Sequence, residues 1–146
     1  MSSFHIEVIS LPLTARIAGV ELVPQRSGLN WGQRPGRNLD QAYIPIPAEI
    51  QRSNFFPDRG IEFLVECDDG ELFKCVRAQA NGKALETSSN NSLLGIYFRK
   101  RLCVRQGYLV TIEHLLRYGR TSVDISRIDD FRYFMDFSTI RKKNES

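Results

Sequence analysis

The thirteen residues from Arg26 to Asn38 bring together three arginines, two asparagines, one glutamine and the chain's single tryptophan, with no acid among them. Gly28, Gly32, Gly36 and Pro35 interrupt any regular helix or strand, so the stretch reads as a polar loop. Its side chains suit planar, two-pronged hydrogen bonding. An arginine fork matches the O6/N7 edge of guanine, and Asn or Gln matches the N6/N7 edge of adenine, in a DNA major groove. A second stretch, Gln79 to Asn91, is again polar and rich in Asn, Ser and Thr. Two such loops could act as arms of a base-reading module. Asn30, Gln33, Arg34, Gln79, Asn81, Asn90 and Asn91 are then candidates for base edges. Arg26, Arg37, Lys83, Thr87, Ser88, Ser89 and Arg99 suit phosphates, which set register and much of the affinity. Asn38 completes the set with Trp31, which is expected to anchor the loop by packing rather than to stack on a base.

Each assignment has a plainer counterpart. Asn and Ser bond readily to their own backbone and so also make turns. Asn90 and Asn91 suit helix capping and base contact about equally. Glu86 could accept from a cytosine amino group, but pairing with the nearby Lys83 is the favoured expectation.

Other chemistries leave weaker traces. Asp68, Asp69, Glu71 and Lys74 have the composition of a metal-dependent nuclease site. Asp69-Gly70 is better used as a hairpin turn, and Glu71 and Lys74 would point to opposite faces of the following strand. No phosphate-cradling Gly-rich loop or nucleophile elbow occurs. Cys67, Cys75 and Cys103 sit in apolar settings without zinc-type spacing and are expected to be buried free thiols. His5 and His114 have no nearby ligand partner and are expected to be structural. The chain is therefore read as non-catalytic, without metal or cofactor.

The totals agree with a soluble domain. The 146 residues are 42% hydrophobic and 25% charged, enough to bury a core, and no apolar run reaches the roughly 20 residues of a membrane helix. With no basic-then-apolar signal segment, a cytoplasmic location is expected. Net charge is only +3, but it is unevenly spread. Six basic residues (Arg77, Lys83, Arg99, Lys100, Arg101, Arg105) face one acid, Glu86, while Asp58 to Glu71 holds six acids and one arginine. That pattern suggests a positive face and a negative back.

The elements that must hold the loops are short. Phe4–Ile9, residues 19–23 and Ala42–Ile46 read as strands, the last limited to an edge or end by Pro45. Pro47 opens a short helix to Phe55. Ile61–Cys67 and Leu72–Ala78 alternate around Asp69-Gly70 as a hairpin. A helix runs to about Leu102, its last turn carrying Arg99, Lys100 and Arg101 where the macrodipole favours cations. Tyr108–Leu115, Arg120–Ile125 and Phe131–Phe137 read as further strands, and residues 141–146 as a frayed tail. Seven or so strands with two short helices describe a small barrel or sandwich, a single mostly β domain over 1–146.

Four segments carry a resemblance. Residues 27–33 (SGLNWGQ), 41–47 (QAYIPIP), 91–99 (NSLLGIYFR) and 118–120 (YGR) together resemble the B3-like DNA-recognition half of type II restriction endonucleases, in particular those with a phospholipase-D-type cleavage half. The likeness runs from about residue 18 through nearly all of the chain, in order. It implies a seven-stranded open pseudobarrel. It also implies two arms, 26–41 and 79–91, that grip double-stranded DNA and read bases in the major groove without a cofactor. No nuclease half is present in the sequence, which leaves a nuclease domain or subunit as a further partner. The alternative from the residues alone is a small β-barrel that binds single-stranded nucleic acid or RNA, which would need exposed aromatics for stacking.

Overall fold

A computed structural model describes residues 7–139; the expected tail at 141–146, His5 and the start of the first expected strand lie outside them. The elements are β1 (Val8–Pro12), β2 (Ala15–Ile17), β3 (Val20–Leu22), β4 (Ile44–Pro45), α1 (Ala48–Gln51), β5 (Phe63–Cys67), β6 (Leu72–Ala78), β7 (Ala84–Thr87), α2 (Leu93–Leu102), α3 (Ile112–Tyr118), β8 (Ser122–Asp129) and β9 (Arg132–Asp136). Seven strands form one sheet in the order β1-β8-β9-β5-β6-β7-β4, and β2-β3 form a separate hairpin. The two end strands, β1 and β4, lie beside one another, so the sheet curls into a nearly closed barrel. This is the expected pseudobarrel.

The β5–β6 hairpin shows why the pattern was readable. Phe63, Val65, Cys67, Phe73 and Cys75 point into the core while Glu66, Leu72 and Lys74 face out, the period of two that a half-buried sheet imposes. Gly70 takes φ +92° in the turn, and Asp69 accepts a hydrogen bond from the Glu71 amide. All neighbours in the sheet are antiparallel except β5 and β9. β9 therefore inserts between β8 and β5, and the segment from residue 68 to 131, with loop 79–91 and helices α2 and α3, forms the long return that a parallel pair requires. Leu11, Ile44, Phe63, Val65, Leu85, Phe98, Val123, Ile125, Met135 and Phe137 fill the interior.

Three expectations are corrected here. Residues 108–115 do not form a strand: α3 occupies their second half. Thr111 and His114 make a reciprocal capping box, the His114 Nδ1 accepting from the Thr111 amide at 2.9 Å, and Gly119 ends the helix at φ +104°. Burial and the neighbouring Arg117 hold the His114 imidazole below its usual pKa, consistent with an unprotonated acceptor nitrogen. Residues 84–87, read as part of a polar loop, form β7, with all four residues buried. Cys67 and Cys75 are buried, burial raising the Cys67 thiol to about 12, but Cys103 is exposed at the left-handed C-cap of α2.

Candidate nucleic-acid interface

Loop 26–41 is built from its floor upward. The Gly32 amide donates to the Gln41 carbonyl at 2.9 Å and closes the loop on itself. A Cβ on Gly32 would stand 2.0 Å from the Asn38 carbonyl oxygen, so only glycine permits that closure. Beneath it lies a buried polar network. Asn30 is wholly buried; its amide donates to the Pro24 and Val110 carbonyls and accepts from the Val110 N–H, each at 2.8 Å. Arg99, also 0% exposed, reaches from α2 to the carbonyls of Leu29, Gly95 and Tyr108 and pairs with Asp40 at 3.2 Å. Asp40 in turn accepts from the Gly107 amide at 2.7 Å. α2 can approach this closely because residue 95 is glycine: a Cβ there would lie 1.8 Å from the Asp40 carbonyl oxygen.

This network removes two candidates. Asn30 cannot read a base and Arg99 cannot touch a phosphate, because every polar group they carry is spent inside the protein, where an unpaired one would be costly. Arg99 is no macrodipole partner on an open helix end either, nor is Arg101, whose guanidinium makes a two-pronged contact with Asp68 at 2.8 and 3.2 Å. With Arg77, three of the six cations in the basic stretch are thus turned inward, and the acidic hairpin end is partly neutralised. Asp68 is committed to Arg101 and to the Phe137 amide, which leaves it no place in a nuclease site.

The rim of the first loop is open. Trp31 packs edge-on against Tyr43, ring centres 5.3 Å apart, and the Arg37 guanidinium lies over it at 4.7 Å. The expected anchor role for Trp31 thereby has a partner on each side. Arg37 also donates to Gln41, and Arg34 donates through Nε to the Arg26 carbonyl, its terminal nitrogens having no partner among the described residues. Arg26, Arg34, Arg37 and Asn38 are exposed; Gln33 is half-buried, its amide nitrogen shared between the Leu39 and Gly107 carbonyls.

Loop 79–91 is assembled differently. After β6 the backbone turns through left-handed φ at Gln79 (65°), Asn81 (61°) and Gly82 (64°). It wraps around the Arg77 side chain, which donates to the carbonyls of Gly82, Asn81 and Gln51. Asn81, Lys83 and Ser89 are exposed, and among the described residues their side chains have no hydrogen-bond partner. Thr87 is buried and donates to the Asn90 carbonyl at 2.5 Å, so it too leaves the contact set. Asn90 accepts from the Ser92 amide in a turn just ahead of α2, whose N-cap is Ser92 without a side-chain cap bond, so the expected capping by Asn90 or Asn91 does not form. Among the described residues the Asn90 side-chain nitrogen and the half-buried Asn91 side chain have no hydrogen-bond partner. Ser88 donates to Glu62. Gln79 donates to Glu86 rather than to solvent, and the expected Lys83–Glu86 pair does not form among the described residues.

The two loops stand side by side. The Ala42 amide donates to the Asn91 carbonyl at 3.1 Å and the Ile46 amide to the Lys83 carbonyl at 2.8 Å, while Arg37 of the first loop acts electrostatically on Glu86 of the second. A third segment, residues 103–110, joins them at the base of the first loop through Gly107, and carries Arg105 packed on the exposed Tyr108 at 5.3 Å. Nothing in the local sequence marked it, since its placement depends on Asp40 and Gln33 far away along the chain.

A sequence model of the NgoFVII C-terminal B3-like DNA-binding domain matches residues 2–129. The chain belongs to this family. No curated protein matches it. Membership in the B3-like family makes DNA the partner of this domain and identifies it as a DNA-binding module of a restriction enzyme. No helix among the described residues is long and apolar enough to cross a membrane.

Proposed function

We propose that this B3-like domain is the target-recognition module of a restriction endonuclease, reading double-stranded DNA in the major groove with loops 26–41 and 79–91 as its two arms. The domain does not cut DNA; a nuclease domain or subunit does so. The observation that carries the reading is the adjacency of the two loops with outward, uncommitted donors on a stiff floor. Arg26, Arg34, Arg37 and Lys83 form the phosphate and guanine set, and Asn38, Asn81, Ser89, Asn90 and Asn91 the smaller donors and acceptors, with Arg105 added from the third segment. A rigid first loop costs little ordering entropy on binding. Single-strand binding has less support, because Phe55, Phe56, Phe63, Phe73, Phe98 and Tyr133 lie in the core rather than on a stacking face.

Selection from random duplexes, followed by binding titrations, tests this. Expected is one enriched sequence, bound at least 10³-fold more tightly than a scrambled duplex, with log affinity falling against log salt by about 0.9 per phosphate engaged. Equal affinity for cognate, scrambled and unpaired strands would defeat it, and plasmid cleavage by this chain alone in Mg²⁺ would defeat the non-catalytic part.

A further inference from the structure

The two loops hold two acids among the described residues: Asp40 is paired with the buried Arg99, and Glu86 has unusual surroundings. On β7 it pairs in register with Val76 of β6, on the face opposite Leu85 and therefore on the outside of the barrel. An outward strand residue is ordinarily solvated, yet Glu86 is only 8% exposed. Gln79 and Arg37, one from each arm, act on its carboxylate. Gln79 Nε2 donates to one carboxylate oxygen, Oε2, at 3.2 Å. Arg37 adds a favourable field without forming an ion pair, and among the described residues no lysine or arginine makes one. Among the described residues, too, every fully buried side-chain oxygen or nitrogen has a hydrogen-bond partner. Oε1 of Glu86 has none among the described residues, so it is not fully buried and keeps some access to solvent.

A carboxylate here is a poor phosphate contact, since it accepts only and carries the wrong charge. It matches one base edge well. In the major groove, cytosine presents the 4-amino donor, whereas adenine sets its amino group beside the N7 acceptor, and guanine and thymine present acceptors alone there. We propose that Glu86 selects a cytosine in the target site, Oε1 accepting from the 4-amino group while Gln79 holds the other oxygen in place. The inference rests on the duplex-reading function above and names one of its specificity-determining residues, with Gln79 as a positioning residue. Burial holds the Glu86 carboxyl above its ordinary range, which fits a group kept at a cost to the free protein.

The test combines protein and DNA changes. With the wild-type chain, the selected site is expected to contain at least one invariant cytosine that Glu86→Gln relaxes or converts toward adenine. Cognate affinity should fall about 5- to 150-fold, the range of a lost base contact, while affinity for scrambled duplex holds or rises and the salt slope is unchanged. Replacing that cytosine by 2-pyrimidinone, which lacks the amino group, should weaken wild-type binding by a similar factor and leave Glu86→Gln nearly unaffected. The base replacement needs no altered protein, so it decides the matter even if the variant folds poorly. An unchanged selected site in Glu86→Gln, or wild-type indifference to 2-pyrimidinone at every cytosine, overturns the Glu86 assignment and leaves duplex reading standing. Failure of the wild type to enrich any sequence overturns both.

Discussion

Each arm is organised around a buried arginine, but the two arginines are used differently. Arg99 is a tertiary bolt. It bonds to Leu29, Gly95 and Tyr108 and pairs with Asp40, joining α2, the first arm and the third segment. Arg77 is a more local spool: two of its three carbonyl partners, Asn81 and Gly82, lie within five residues, and among the described residues it has no acid partner. The first arm is thus positioned by the whole fold, while the second is shaped mainly by its own turn, with strained left-handed residues at Gln79 and Asn81. The rigid arm should contribute pre-organisation and the local one adaptability.

Breaking the bolt should have the largest effect. Arg99→Met leaves Asp40 as an uncompensated buried charge and is expected to destabilise by about 3–5 kcal/mol, a large share of a domain's total stability. Urea melts would register it, and a loss under 1 kcal/mol would mean that the first arm is held by something else. Arg77→Met should cost less, about 1–3 kcal/mol for three carbonyls deprived of a donor. Amide exchange should then speed up in 79–83 while 28–32 stays protected; equal exposure of both arms would erase the distinction between them.

Smaller effects sharpen the comparison at the surface. The raised Glu86 carboxyl pKa means that its ionised form is disfavoured in the fold relative to the unfolded chain. Its cost is absent at pH below the ordinary carboxylate range and grows as pH rises from there through the raised value. Glu86→Gln should therefore gain thermal stability over wild type at pH 7 and lose that advantage by pH 4; a pH-independent difference would refute the buried-carboxylate account. Last, Lys83→Ala should change stability by less than about 0.5 kcal/mol yet reduce the salt slope of DNA binding by about 0.9. An unchanged slope would place Lys83 away from phosphate.

Much of the barrel could be read from short windows. The alternation in 63–67 and 72–78 with Asp69-Gly70 between, and the apolar face of 93–102, are set by neighbours within a few residues, so their physics is local. Residues 112–118 misled because the cap is Thr111 with His114, an unusual acceptor in place of Glu or Gln, while Gly119 alone marked the end. β7 was hidden because Glu86 and Thr87 look like loop residues, and only pairing with Val76 and Cys75 makes them a strand.

The sequence by itself determined the strand-rich architecture and the two polar loops as the parts to watch, since composition and short-range periodicity carry that information, while the family showed only through the resemblance of four ordered segments. It could not sort the loops' side chains into scaffold and surface. Asn30 bonds to a residue 80 positions away and Arg99 to one 70 away. A buried polar group is worth having only where all its partners arrive together, and that convergence exists only in three dimensions. The tertiary structure turned Asn30, Thr87 and Arg99 inward, gave Glu86 Gln79 as its partner in place of the expected lysine, and left Arg26, Arg34, Arg37 and Lys83 exposed.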